Sequence, residues 1–345
     1  MNARDDAGAP RLSEKRRREL VDRYRVTDGR GFRLKHRDPA DLAGHLVARD
    51  RANALLAEGV ERLTRLQEKL YAQDRWALLC VFQAMDAAGK DGTIKHVMSG
   101  VNPQGVQVTS FKAPGPEALA HDFLWRSAVA LPARGRIAIF NRSHYEEVLV
   151  VRVHPEILQT QRLPPELIGE RLWRHRFESI VDFERHLSRQ GIVVLKFFLH
   201  LSREEQRRRF LARLEERDKH WKFSAADLRE RAFWDPYQQA YEEAIGATAA
   251  PHAPWFVVPA DNKWFSRLVV VATIVEALDA LDLRVPRPSG EELAALDAAR
   301  RELESEASAE RSPRHRRRRS SVAPIRAIAG RARVRACRRC PTRSA

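Results

Sequence analysis

Five short apolar runs punctuate the chain, at Trp76 to Phe82, Val106 to Phe111, Arg136 to Phe140, Ile192 to Leu199 and Trp255 to Val258. Most are near-continuous rather than alternating, as in strands buried on both faces. Stretches with helical recurrence lie before and between them, from about Arg51 to Gln73 ahead of the first run and from Trp264 to Leu281 behind the last. Strands that alternate with crossover helices predict an α/β fold with a five-stranded parallel sheet covered by helices. The charged stretch Glu291 to Glu310 predicts one more helix, which fits either a neighbouring subunit or solvent, and no internal repeat is present.

Composition agrees with one globular body plus tails. With 345 residues and 43% hydrophobic content the chain can bury a sizeable core, and no apolar run reaches the roughly 18 residues of a membrane span. The start, Met1 to Asp6, carries acid and no apolar stretch, so a cytoplasmic address is expected. The net charge of +16 suggests a nucleic-acid binder until it is located: thirteen arginines and no acid lie from Arg311 to Ala345, leaving 49 basic and 46 acidic residues elsewhere. That tail, rich in Ser, Pro and Ala, reads as disordered. It suits a polyanion such as polyphosphate or RNA by counterion release, or is a dispensable extension. Cys80 is expected inside the first strand, whereas Cys337 and Cys340 form a lone C-x-x-C without the second pair of a zinc site.

The most informative segment follows the first strand: Ala84-Met85-Asp86-Ala87-Ala88-Gly89-Lys90-Asp91-Gly92-Thr93-Ile94-Lys95. A turn of small residues between a strand and a helix lets backbone N–H groups face an anion, the helix start adds positive potential, and Lys90 reaches the phosphates. The segment departs from G-x-x-x-x-G-K-[ST], with Ala84 in place of the first glycine and Asp91 in place of Ser or Thr. Two carboxylates in an anion cradle call for a divalent cation, and Asp86 is the expected ligand of Mg²⁺, with Mn²⁺ as an alternative. Asp91 reads equally well as a helix cap.

A second constellation opens where the third strand runs into Asn141-Arg142-Ser143-His144-Tyr145-Glu146-Glu147. Ligands of open parallel sheets bind beyond the carboxyl ends of the strands, so this segment and the Lys90 loop should share one crevice. The planar fork of Arg142 suits phosphoryl oxygens. Transfer of a phosphoryl group needs cations more than a general base, because the charge lies on the outer oxygens. More cations come from Arg203 to Arg217, where Ser202 caps a predicted helix, Glu205 completes a capping box and arginines recur at helical spacing. The helix is a candidate cationic lid, although the same spacing describes a salt-bridged surface helix. Trp221, Phe223, Phe233, Trp234, Tyr237 and Tyr241 read mainly as core, and Ser99 to Gln104 as either a ligand-wrapping turn or a connection.

Four blocks together resemble the polyphosphate kinase 2 family: Asp86 to Gly105, Phe140 to Glu146, Lys219-His220-Trp221-Lys222-Phe223 with Asp227, Trp234-Asp235, Tyr237 and Ala240-Tyr241-Glu242, and Ala253 to Trp264. The likeness spans roughly Phe32 to Leu283. It implies a P-loop kinase-like α/β/α fold and reversible, Mg²⁺-assisted transfer of the terminal phosphoryl group of polyphosphate to AMP or ADP. It also implies catalytic roles for Asp86, Lys90 and Arg142. Phosphate or nucleotide contacts are implied for Ala87, Ala88, Gly89, Asp91, Gly92, Thr93, Lys95, Asn141, Glu146, Arg207, Arg208, Lys219 and Lys222. Asn141 stands where many members carry an aspartate, a feature of members acting on both AMP and ADP, and it leaves more of the metal's binding to Asp86. Glu146 fits the same subgroup, or a solvated helix start.

The expected organisation is a tail over 1–30, the phosphotransferase domain over 31–285 with a lid at about 203–235, a helical extension over 286–310 and the Arg-rich tail over 311–345. A homo-oligomer with no membrane partner is expected. Two rival readings remain: an ATP-using nucleoside monophosphate kinase, and a polyanion-binding protein with an inactive loop.

Overall fold

The computed structural model describes residues 12–311 apart from 45, 46, 48, 218, 219 and 221–224. The chain divides into two units, one ending at Pro286 and one beginning at Arg287. In the first, strands β1 (Arg25–Val26), β2 (Ala77–Ala84), β3 (Val106–Ser110), β4 (Ile137–Asn141), β5 (Ile192–His200) and β6 (Trp255–Pro259) form one sheet in the order β1-β6-β5-β2-β4-β3. The five expected strands are all present and parallel. The sheet has six strands because β1 adds an antiparallel pair of residues beside β6, too short to leave a periodicity in the sequence.

Helices α1 (Glu14–Tyr24), α2 (Ala52–Gln73), α3 (Lys90–Val97), α4 (Pro116–Leu119), α5 (Trp125–Val129), α6 (Val150–Val153), α7 (Leu172–Arg189), α8 (Arg203–Glu215), α9 (Ala225–Glu230), α10 (Trp234–Thr248) and α11 (Lys263–Asp279) connect and cover the strands. Alternation along β2 builds the three layers. Leu78, Cys80 and Phe82 enter one core with α1, α2, α3 and α11, and Leu79 and Val81 enter the other with α7 and α10. α11 buries Phe265 and every residue from Leu268 to Val275, hence its apolar sequence all round. Cys80 lies fully buried as a free thiol. Trp234, Tyr237 and Tyr241 are core residues, whereas Phe233 is 38% exposed and Trp221 and Phe223 lie outside the described residues. The Ser99 to Gln104 turn is held to α2, where Thr64 Oγ1 donates to the Gly100 carbonyl at 3.0 Å, and it caps itself through Asn102 Oδ1.

Two expectations need correction. The stretch 1–30 is not a tail throughout: α1 starts after the cap Ser13, buries Leu20 and Val21 completely, and ties Arg17 to Glu276 and Asp279 at 2.8 Å each. Its arginine-rich composition hid an apolar stripe of only three residues, Leu20, Val21 and Tyr24. The capping box at α8 does not close. Ser202 Oγ accepts from the Glu205 N–H at 3.1 Å, but the Ser202 N–H donates to Asp261 Oδ1 at 2.8 Å and the Glu205 carboxylate takes Arg208 and Arg209 instead. In the second unit, α12 (Gly290–Arg311) has a closed box of its own between Ser289 and Glu292, and it exposes Leu293, Leu296 and Leu303. The Cys337–Cys340 pair and the tail beyond Arg311 lie outside the described residues.

A charged network crosses the core beside β5. Lys196 Nζ donates to Glu184 Oε2 at 2.6 Å, to the Thr248 carbonyl at 2.8 Å and to Tyr145 Oη at 3.1 Å. Tyr145 Oη donates to Glu184 Oε1 at 2.8 Å, and Trp255 Nε1 to Thr248 Oγ1 at 2.9 Å. Burial pushes Lys196 down and Glu184 up, each toward its neutral form, and their mutual attraction opposes the shift.

Candidate active site

The chain leaves β2 at Ala84 and enters α3 at Lys90, and the turn between them needs two left-handed residues, Ala87 at φ 62° and the N-cap Gly89 at φ 97°. Glycine adopts that conformation freely, whereas Ala87 holds it against a cost of order 1 kcal/mol. The carbonyls of the turn are pinned from α8. Gln206 Nε2 donates to the Asp86 carbonyl at 3.0 Å, and Arg209 Nη1 to those of Ala87 at 3.0 Å and Ala88 at 2.9 Å. The two ends of a trans peptide point opposite ways, so carbonyls fixed toward α8 aim the N–H groups of Ala87 and Gly89 away from it, into the turn. The Ala88 N–H closes the turn on the Met85 carbonyl at 3.3 Å. Lys90, Asp91 and Gly92 supply the first orphan N–H groups of α3, and the buried Thr93 returns its N–H to the Gly89 carbonyl at 2.9 Å. A carbonyl-pinned turn with free N–H groups is an anion cradle.

Arg209 is the residue that sequence reasoning missed. It is 7% exposed, and besides the loop it binds the Ala260 and Asp261 carbonyls at 2.6 and 3.0 Å and Glu205 Oε1 at 2.7 Å. Its one signal in the sequence is a carboxylate four residues earlier, which exposed helix arginines share.

Across the crevice, β4 delivers Asn141 and Arg142. The Arg142 N–H continues the ladder to the Phe82 carbonyl at 3.0 Å, and the residue turns sharply at φ 63°. Its guanidinium stands 3.4 Å from Asp86 Oδ1 and 3.3 Å from Glu146 Oε2. Both contacts are long for charge-assisted bonds. Asn141 Nδ2 donates to Asp91 Oδ1 at 2.7 Å, which leaves the Asn141 amide oxygen unused by that bond. Among the described residues, Lys90 Nζ has only the Ala84 carbonyl at 3.4 Å. Burial, then the nearby Arg142, pushes the Lys90 ammonium below the ordinary lysine range, against Asp86, Glu146 and Asp91. Burial raises Glu146, while Arg142 and Lys90 resist. Burial also opposes the Arg142 charge, but Glu146 and Asp86 outweigh it and hold the guanidinium above its usual range. With its amide oxygen toward Ser143, Gln83 donates to Glu146 Oε1 at 2.9 Å.

Sequence reasoning thus placed Asp86, Lys90, Asp91, Asn141, Arg142 and Glu146 around one crevice, and the structure brings them together. Lys95 lies exposed on α3. Arg207 and Arg208 also face solvent, 56% and 74% exposed, each paired to a glutamate of its own helix, Glu204 at 2.6 Å and Glu205 at 2.5 Å. Lys219 and Lys222 lie outside the described residues.

A sequence model of the family described as Polyphosphate kinase 2 matches residues 47–286. The chain belongs to the polyphosphate kinase 2 family. It is 51% identical over 264 residues to an ADP-polyphosphate phosphotransferase of Rhodopseudomonas palustris, covering 76% of this chain and 91% of the relative. It is 45% identical over 266 residues to an AMP/ADP-polyphosphate phosphotransferase of Meiothermus ruber, covering 77% and 96%. Among solved structures, polyphosphate kinase 2 of Arthrobacter aurescens superposes with a TM-score of 0.75 at 40% identity, covering 82% of this chain and 96% of that one. The likeness read from the four sequence blocks is therefore a family relationship, and the P-loop kinase-like fold comes with it.

The donor set of the crevice fits a divalent cation. No group of three or more His, Cys, Asp or Glu side chains gathers into a metal cage among the described residues. Mg²⁺ seldom uses such a cage, taking one or two carboxylates and filling its remaining positions with water and phosphate oxygens. The half-buried Asp86 carboxylate at the mouth of the cradle, held by one long contact to Arg142, is of that kind.

Proposed function

We propose that the protein transfers the terminal phosphoryl group of inorganic polyphosphate to AMP or ADP, reversibly. The observation that carries this reading is a crevice whose cations are under-paired. Among the described residues Lys90 has one weak carbonyl contact and Arg142 two long ones, so anionic ligands complete the set. The family relationship supplies the donor, since the relatives named above are polyphosphate phosphotransferases. None of them supports an ATP-using monophosphate kinase.

In the proposed reaction an oxygen of the acceptor's terminal phosphate attacks the terminal phosphorus of polyphosphate in line. The bridging P–O bond breaks, and its electrons leave with a chain one phosphate shorter. No general base is needed, because the attacking oxygen is already anionic. The N–H groups of the turn and Lys90 hold the transferring group, and Arg142 forks onto its equatorial oxygens or the acceptor phosphate. Asp86 would hold Mg²⁺, which when bound neutralises phosphate oxygens. Asn141 in place of aspartate keeps one negative charge out of a site that gathers phosphates, consistent with an acceptor range that includes AMP. Arg207, Arg208, Lys219 and Lys222 belong to this reading as lid contacts along polyphosphate, and Lys95 as a contact beyond the cradle. A homo-oligomer and a cytoplasmic address are part of it too; no described helix is long and apolar enough to cross a membrane. Binding of RNA by the Arg-rich tail is a separate possibility within it.

Incubating the purified protein with Mg²⁺ and AMP or ADP, with long-chain polyphosphate or ATP as sole donor, tests the proposal. ADP and ATP should form from AMP and polyphosphate. Product only with ATP as donor would overturn it.

A further inference from the structure

The phosphate turn is gripped from α8, and one of the two grips is set by a residue further along the chain. Gln206, 1% exposed, uses both ends of its amide. Oε1 accepts from Arg231 Nη1 at 2.7 Å, and Nε2 donates to the Asp86 carbonyl at 3.0 Å. These partners allow one orientation of the amide. A guanidinium only donates and a carbonyl only accepts, so an amide turned end for end would set donor against donor and acceptor against acceptor, and would lose both bonds. Arg231 thus decides which end of Gln206 faces the turn.

Arg231 is itself fixed. It opens the 3₁₀ turn Arg231–Phe233 directly after α9, and the same Nη1 donates to the Arg203 carbonyl at 3.0 Å. The neighbouring Glu230 accepts from Tyr237 Oη at 2.8 Å, and His154 Nε2 stands 3.0 Å from the same carboxylate oxygen. The backbone from which Arg231 projects is therefore anchored to α10 and to the end of α6.

The Gln206 bond to Asp86 guards a strained peptide. Turning over the peptide between Asp86 and Ala87 would change ψ of the first residue and φ of the second, and so carry Ala87 out of the left-handed region, where it stands at φ 62°. Strain favours that rotation. It would swing the Ala87 N–H out of the cradle and put a carbonyl oxygen in its place, facing phosphate. Arg209 grips the Ala87 and Ala88 carbonyls, which belong to the next two peptides, whereas the grip on the Asp86 carbonyl comes from Gln206.

We propose that Arg231 is a positioning residue for phosphoryl transfer: by fixing the Gln206 amide it keeps the peptide between Asp86 and Ala87 turned with its N–H toward the phosphate, without touching the phosphate itself. This role rests on the phosphoryl-transfer reading of the crevice and deepens it.

Arg231→Met, Gln206→Met and the double variant test the relay. With AMP or ADP and long-chain polyphosphate, kcat should fall about tenfold in Arg231→Met, the effect of a slightly misplaced donor, while both KM values stay within about twofold of wild type and the melting temperature is kept. The double variant should be no slower than Gln206→Met alone, because both changes act through one bond. Wild-type kcat in Arg231→Met overturns the proposal. So does a raised KM at unchanged kcat, which would make Arg231 a ligand contact, and so do effects that multiply in the double variant. Should Gln206→Met fail to fold, Arg231→Met decides through the split between kcat and KM. Amide hydrogen exchange of the ligand-free protein separates the relay from the reaction on which it rests. Exchange within residues 84–92 should quicken at least about threefold in Arg231→Met, and only there, even if polyphosphate proves not to be the donor. Unchanged exchange in that segment overturns the relay, and quickening spread over the whole sheet overturns it too, by showing a general loss of stability.

Discussion

Lys90 and Lys196 are both lysines that burial pushes below their ordinary range, yet they have opposite surroundings. Lys196 is fully buried and has a carboxylate at 2.6 Å, a carbonyl at 2.8 Å and a phenol at 3.1 Å, which is every proton an ammonium can donate. Among the described residues Lys90 has one carbonyl at 3.4 Å. A protein that leaves a half-buried charge with one weak partner accepts a cost, and the cost is offset where a ligand completes the set. Lys196 is also fully buried and Lys90 only half-buried, and saturation separates the internal prop from the binding group where the direction of titration does not. Arginine repeats the contrast across the crevice: Arg209 on α8 spends its fork on five protein acceptors, and Arg142 after β4 holds two carboxylates loosely.

Exchanging the roles of the two lysines gives the largest expected effects. Lys90→Ala should lower turnover by about 10²–10³-fold or more, the range for losing one preorganised donor to a developing charge, with no loss of melting temperature. Asp86→Ala should do the same. Turnover near wild type in either variant would move the active site elsewhere. Lys196→Met should instead cost about 3–5 kcal/mol of stability by stranding Glu184, read by denaturant unfolding. The double variant Lys196→Met/Glu184→Leu should recover most of that loss, and failure to recover would mean that the network does more than neutralise itself.

Smaller effects sharpen the arginine contrast. Arg142→Lys should reduce turnover by roughly 10–100-fold, because a point charge cannot reproduce a fork. Arg209→Lys should also slow turnover, by about tenfold, with some loss of stability, because an ammonium cannot reach both the loop and the Ala260 and Asp261 carbonyls. Normal turnover there would leave Gln206 as a sufficient hold on the loop.

The smallest effect expected is on stability in acid. Burial lowers His144 to about 3 and His200 to about 4. The unfolded chain binds protons at these residues from about pH 6.5 downward while the folded one does not. Both therefore stabilise the fold above that pH, and the contribution is lost as pH falls toward the folded values. Melting temperature should decline from about pH 6.5 to 4, and His144→Phe should flatten part of the decline.

The sheet was legible because four of its five parallel strands, all but the edge strand β3, are largely apolar on both faces, a pattern that survives without long-range knowledge. The site was legible where local chemistry is peculiar, as at Gly89-Lys90 and at the abrupt polar turn after Phe140. What escaped was non-local. β1 is two residues whose pairing is set by β6, and α1 is a basic segment whose four buried positions matter only against distant elements, chiefly α11. Arg209 looks like its neighbours Arg207 and Arg208, and only packing makes one a clamp and two solvent-facing. The capping box at Ser202 was a sound local reading, displaced because Asp261 competes for the same N–H.

The grip of Gln206 and Arg209 on Asp86, Ala87 and Ala88 also bears on how members of this family can be recombined. The shape of the phosphate turn is specified about 120 residues downstream of its own sequence. A chimaera that transplants residues 84–92 alone would carry the amides without the struts that aim them. Crossover points that keep 84–92 and 202–209 from the same parent respect the true module, which is contiguous in space and split in the gene.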